Sequence, residues 1–72
     1  MSDKLSWDDA GKIGALLSNK HPELYPLAAD LDDLHRYVIQ LSEFKGDPKI
    51  FDKDKLEAIR TAWNTEFLDR TQ

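Results

Sequence analysis

The sequence predicts a mainly α, compact three-helix domain that is winged-helix-like, of helix-turn-helix type. In three segments apolar residues recur at three- and four-residue spacing, and acidic residues suited to helix starts precede each segment. Proline and glycine separate the segments. The chain has 72 residues, and short helices must bury their apolar stripes against one another. We therefore expect a single domain over 1–72, with an ordered core over about 5–68.

The first helix is predicted from a start signal at Ser6 to an end near Lys20. Ser6 followed by Asp9 resembles a capping box, with Asp in place of the usual Glu. One face then carries the apolar residues Ala10, Ile13, Leu16 and Leu17. Gly11 and Gly14 each lower helix propensity by about 1 kcal/mol. The alternative role for these two glycines, three residues apart, is to let a neighbouring helix or strand approach the first helix closely.

The second helix has the clearest pattern in the chain. An ordered connector over 21–27, stiffened by two prolines, leads to a start signal at Asp30, with Asp33 in the third helical position. The apolar row that follows is Leu31, Leu34, Val38 and Leu41, with Phe44 continuing it. The glycine and proline within 45–48 predict the stop.

The third helix is preceded by residues 49–51, which are predicted as a short edge strand or a wing-like hairpin arm. Asp52 or Asp54 can cap the helix. Its apolar stripe is Leu56, Ile59, Trp63 and Phe67. Trp7 and Trp63 are expected in the core, and the polar tail beyond Leu68 is expected to fray.

Composition disfavours enzymes, nucleic-acid-binding proteins and membrane proteins. Ten basic and fourteen acidic residues give a net charge of −4, which repels phosphate backbones and anionic membranes. The absence of cysteine excludes disulfides and zinc–thiolate sites, and no hydrolase or phosphate-loop motif is present. No segment approaches the roughly 20 apolar residues of a membrane helix, and the first residues lack a signal-peptide core. We predict a soluble, cytoplasmic, monomeric protein that is not an enzyme.

The carboxylates at the predicted helix starts have two interpretations. They can satisfy free amides and complement the helix dipole, worth roughly 0.3–1 kcal/mol each. Alternatively, several helix starts converge on one face and form a negative patch that steers a partner rich in lysine and arginine. Such an exposed patch would bind a hard cation only weakly.

Three other polar aromatic residues lie near the predicted helices. His35 is expected to be partly buried with one nitrogen hydrogen-bonded, at the edge of the second helix's apolar face. His21, in a loop before a proline, is expected to be only solvated. Tyr37 lies off the main stripe and is predicted to make a contact at the rim of an interface.

From Leu5 to Glu66 the chain resembles the IscX (YfhJ) family, small acidic proteins of bacterial iron–sulfur cluster assembly. The order and spacing of the motifs carry the resemblance: Trp7-x-Asp9, Ile13-Gly14, Leu16, Pro22-x-Leu24-x-Pro26, Asp33-Leu34-His35, Leu41, Glu43-Phe44, Asp47-Pro48, Leu56-Glu57-Ala58-Ile59 and Trp63. The resemblance implies a winged-helix-like fold used for protein binding. It also implies docking on the cysteine desulfurase through an acidic face, weak iron binding through exposed carboxylates, and modulation of sulfur delivery in competition or cooperation with frataxin.

The resemblance also assigns residues to these roles. Acidic positions that match the family pattern are Asp9, Asp33, Glu43, Asp47 and Glu57. We predict that the partner-binding residues are Asp8, Asp9, Asp32, Asp33, Arg36, Tyr37, Glu43, Asp47 and Glu57. Weak iron binding is predicted at Asp9, Asp33, Glu43 and Asp47, with no tightly bound cofactor. Relatives often carry a dense acidic run after helix two, where this chain has Gln40, Ser42, Lys45 and Gly46. This difference lowers the number of carboxylates in the acidic patch and favours protein docking over metal binding.

Two alternatives remain open. A nucleic-acid-binding helix-turn-helix protein would require a basic recognition helix, yet helix two offers only Arg36 against several acidic residues. A dedicated iron donor or sensor would require iron affinity above that of a generic carboxylate surface.

Overall fold

Three α-helices and one 3₁₀ turn make up the fold. The computed structural model describes residues 5–71, with side chains over 5–69. Helix α1 spans Ala10–Lys20, the 3₁₀ turn Pro26–Ala28, α2 Leu31–Ile39 and α3 Lys53–Thr71. The mainly α, three-helix prediction is therefore confirmed. None of the described helices combines the length and the hydrophobicity that a membrane span requires.

The start of α1 contains only half of the predicted capping box. Asp9 Oδ2 accepts a hydrogen bond from the Ser6 N–H at 2.9 Å, which is the backward bond of such a box. Asp9 is itself the N-cap residue, and its carbonyl accepts from the Ile13 N–H at 2.9 Å. The helix therefore begins at Ala10, and the acidic residue orders the turn that leads into it.

Helix α2 begins as predicted and ends earlier than predicted. Asp30 Oδ1 accepts from the Asp33 N–H at 2.8 Å, so Asp30 is a side-chain N-cap. The last helical residue is Ile39, although the apolar row predicted helix as far as the glycine stop. Leu41 and Phe44 are buried nonetheless, from outside the helix.

A pairing with the N-terminal segment replaces the last predicted turns of α2. The Leu5 N–H donates to the Glu43 carbonyl at 3.1 Å, and the Lys45 N–H donates to the Leu5 carbonyl at 2.8 Å. These bonds form an isolated parallel bridge between Leu5 and Phe44. The backbone of 43–45 is thus satisfied by a distant segment, which the local periodicity could not reveal.

The predicted strand or wing arm at 49–51 is wrong. Within residues 5–71 the only β pairing is the bridge described above. Ile50 and Phe51 are instead loop residues with exposed side chains. The winged-helix type is therefore not confirmed.

Helix α3 is capped by Asp52, one of the two predicted candidates. Asp52 Oδ1 accepts from the Asp54 N–H at 3.0 Å and from the Lys55 N–H at 3.3 Å. The helix continues to Thr71, and fraying of the polar tail beyond Leu68 stays a prediction. Extension of an established helix costs little per residue, which accounts for the added turn.

The core lies between the helices and includes both tryptophans, as predicted. Its buried apolar side chains are Leu5, Trp7, Ile13, Leu17, Leu34, Val38, Leu41, Phe44, Leu56, Ile59 and Trp63. Helices α1 and α3 touch at Gly14, where an added Cβ would lie 2.7 Å from the Cβ of Ala62. Gly11 has open space around it. The predicted close approach is therefore confirmed for one of the two glycines.

Candidate functional site

The starts of α1 and α3 lie side by side. Lys55 Nζ, in the first turn of α3, donates to Asp8 Oδ1 just before α1. The hydrogen bond that Lys55 donates to Asp8, and then the negative charge of Asp8, raise the pKa of Lys55, with a smaller contribution from Asp52 against the opposing effect of desolvation. Two of the three acidic helix starts therefore meet, and a lysine partly neutralises them.

The acidic residues at the start of α2 point to two different sides of that helix. The Asp33 carboxylate lies 4.0 Å from the Arg36 guanidinium. Asp33 also lines a depression of about 130 Å³, together with Tyr37 of the same helix and Trp63 of α3. Asp32 is exposed and has no ion pair among the described residues. It lies one turn before His35, so these two share a side of α2.

That side of α2 faces the loop that precedes α3. His35 Nε2 lies 2.9 Å from the Ile50 carbonyl oxygen. The His35 ring stacks on Trp7 with centroids 5.4 Å apart and lies 5.5 Å from the ring of Phe51. The prediction of a partly buried His35 with one satisfied nitrogen is confirmed. We call the area around residues 47–52 the loop surface; its carboxylates are Asp8, Asp32, Asp47 and Asp52.

Glu43 lies elsewhere, beside α1. Its carboxylate is 3.9 Å from Lys20 Nζ and accepts from the Ser42 hydroxyl at 3.2 Å. A hydrogen bond from its own backbone N–H, and then those two groups, lower the pKa of Glu43 despite partial desolvation. It borders an open groove of about 300 Å³ that is also lined by Leu5 and Leu16. This groove shares no lining residue with the depression at Asp33.

The four residues predicted to bind iron do not form a ligand set. Each carboxylate has a separate local partner: Ser6 for Asp9, Arg36 for Asp33, Lys20 for Glu43 and the Lys49 N–H for Asp47. Among the described residues, no group of three or more histidines and carboxylates could hold a metal ion. The arrangement does not fit a dedicated iron site, and weak binding by single carboxylates stays a prediction.

The remaining predicted partner-binding residues lie apart from one another. Tyr37 is half-buried, with its ring 6.0 Å from that of Trp63 and 5.0 Å from that of His21. The prediction that His21 is only solvated is wrong, because it packs on these rings. Glu57 lies in α3, half-exposed, without an ion pair among the described side chains.

Two surface residues were missed from the sequence. Ile50 and Phe51 are 44% and 50% exposed, and the interpretation as an edge strand concealed them. The signal that could have revealed them is two adjacent large apolar residues between charged ones, outside any helical row.

Known proteins provide a family context. A family model described as "Iron-sulphur cluster assembly" matches residues 5–68. An uncharacterised protein of Pseudomonas aeruginosa is 39% identical over 62 residues, which cover 86% of this chain and 94% of that protein. The matched range includes α1, α2 and all but the last turn of α3.

Proposed function

The chain belongs to the iron-sulphur cluster assembly family, the IscX (YfhJ) family, and from this premise we propose that it is an acidic adaptor that docks on the cysteine desulfurase. In this role it would regulate sulfur delivery in competition with frataxin, and it would catalyse no reaction itself. Family membership supports a role in iron–sulfur cluster assembly. The desulfurase and frataxin come from the resemblance of its motifs.

The observation that carries the proposal is the placement of the carboxylates. Thirteen of the fourteen acidic residues lie in the described part, with Asp3 outside it, and none of the thirteen is buried. Over residues 5–69, ion pairs engage only Asp8, Asp33 and Glu43. Most of the negative charge is therefore available to cations of a partner. Such charge steers a basic surface into contact and speeds association at low salt.

Within the loop surface, Asp32 and Asp47 are the carboxylates most suitable for contact with a basic partner. Both are exposed and neither has an ion pair among the described residues. Asp33 and Glu43 would have to exchange Arg36 or Lys20 for a cation of the partner, which reduces their net contribution.

The positions of the charged residues support neither of the two alternatives, nucleic-acid binding and a dedicated iron donor or sensor. A recognition helix at α2 would place Asp32 and Asp33 in its first turn, while Arg36 is engaged by Asp33. That arrangement opposes contact with phosphates. An iron donor or sensor would need converging ligands, and the carboxylates have separate partners. Calorimetry with ferrous iron under anaerobic conditions tests the weak binding that we retain.

The experiment is a titration of the purified cysteine desulfurase with the full chain at low and at moderate salt. We expect binding that weakens as salt rises, because exposed charges are screened over about 10 Å at 0.1 M. Asp32→Lys should weaken binding by at least about threefold at low salt and less at moderate salt. The matched control is Asp69→Lys, the same reversal at an exposed carboxylate near the end of α3.

Two results would overturn the proposal. One is the absence of binding to the desulfurase at low salt. The other is binding that does not depend on salt and responds equally to both charge reversals.

A further inference from the structure

The loop before α3 presents two adjacent large apolar side chains to solvent. Ile50 is 44% exposed and Phe51 is 50% exposed. The Phe51 ring lies beside that of His35, with centroids 5.5 Å apart and an angle of 40° between the ring planes. The charged residues Asp47, Lys49, Asp52 and Lys53 lie on both sides of the pair in sequence, so the pair stands out as an apolar point among charged side chains.

The backbone of this loop is fixed by hydrogen bonds to two other parts of the fold, Trp7 and His35, and by bonds within the loop. The Asp47 carbonyl accepts from Trp7 Nε1 at 2.9 Å and from the Ile50 N–H at 3.2 Å. Asp47 Oδ1 accepts from the Lys49 N–H at 2.9 Å, and the Ile50 carbonyl is bonded to His35 Nε2. The pair is therefore held in place before any partner arrives, which reduces the entropy cost of binding.

Carboxylates flank the pair in sequence and lie on the side of α2 that faces the loop. Asp47 and Asp52 flank it in sequence, and their side chains are oriented by backbone N–H groups of Lys49 and Asp54. Asp32 lies on the same side of α2 as His35, which contacts the loop. Residues 47–57 and Asp8 together contain five carboxylates and three lysines, a net charge of −2.

We propose that Ile50 and Phe51 are the apolar anchor of the docking surface and insert into an apolar recess bordered by lysine or arginine on the partner. This inference rests on the proposed function and identifies the part of the acidic surface that makes contact. An apolar centre inside a charged rim is the arrangement in which a few side chains supply most of the binding energy. The rim carboxylates select a basic surface, and the anchor slows dissociation.

The test measures desulfurase affinity for the full chain and for Phe51→Ser and Ile50→Ser, each at low and at moderate salt. The second variant leaves the Phe51–His35 contact in place, so it reports on the anchor if the first is unstable. The matched control is Leu27→Ser, because Leu27 is 51% exposed and lies in the 3₁₀ turn, away from the loop. Circular dichroism establishes that each variant is folded.

We expect each loop variant to bind at least about tenfold more weakly, by a similar factor at both salt concentrations, because burial of apolar surface is not screened by salt. Leu27→Ser should bind as the unmodified chain does. If the unmodified chain binds in a salt-dependent way but both loop variants keep its affinity, the anchor is refuted and the adaptor function stands. An equal loss in Leu27→Ser also refutes the anchor, and absence of binding by the unmodified chain refutes both proposals.

Discussion

The two glycines of α1 provide a paired test of how α1 and α3 pack. Both are helical, and both change to alanine by the addition of one methyl group. At Gly14 the new Cβ would lie 2.7 Å from Ala62 Cβ and from Trp63 N, and 2.8 Å from Ala62 C. Ordinary contact begins at 3.4 Å, so the helices would have to separate by about 0.7 Å. Two of the three contacts are with backbone atoms, which cannot rotate away.

The expected free energies follow from two opposing terms. Alanine gains about 1 kcal/mol of helix propensity over glycine. Overpacking of a close contact costs about 1–3 kcal/mol, and the upper end applies where backbone must move. Gly14→Ala should therefore lower the free energy of unfolding by about 2 kcal/mol and Tm by about 8–16 °C. Gly11→Ala, with nothing within 4 Å of the new Cβ, should raise the free energy of unfolding by about 0.5–1 kcal/mol.

The assay is urea and thermal unfolding of both variants, with loss of helix followed by circular dichroism. Since the same chemical change is made twice in one helix, effects on the unfolded chain largely cancel. If Gly14→Ala is as stable as Gly11→Ala, the described contact between α1 and α3 does not exist in solution.

Two further predictions concern single carboxylates. Asp30→Ala should destabilise the domain by about 1 kcal/mol, because the Asp33 N–H loses its acceptor; Asp32→Ala, which removes no cap bond, is the control in urea unfolding. The pKa of Glu43 is lowered from 4.5, so its stabilising contribution is fully present above that value and is lost as pH falls through the folded pKa. The stability difference between the unmodified chain and Glu43→Gln should therefore shrink in acid, and an unchanged difference in urea midpoints below pH 4.5 would contradict this.

The sequence predicted that the carboxylates are exposed, but it did not predict which of them lie together. Most of these carboxylates were identified from their positions at helix starts, and Glu43 and Asp47 from the family motifs; all of them are at least partly exposed. Their grouping was not predictable. Asp33 turns towards Trp63, Glu43 towards Lys20, and Asp32 lies on the side of α2 that contacts the loop. Those directions depend on how α2 is rotated against α3, which is decided by packing and not by spacing along the chain.

The sequence by itself determined the features that depend on residues three or four positions apart. The caps at Asp30 and Asp52, the apolar stripes of the three helices and the net negative charge all belong to this class. The family motifs, too, were visible in order and spacing.

Only the tertiary structure decided the features that join distant segments. The bridge between Leu5 and Phe44 ended α2 early, because backbone groups that pair with a distant segment no longer continue a helix. Contact with Ala62 made Gly14 a packing residue and left Gly11 free, although the two are alike in sequence. In the same way, bonds from Trp7 and His35 fixed a loop that has no local pattern, and so placed Phe51 at the surface.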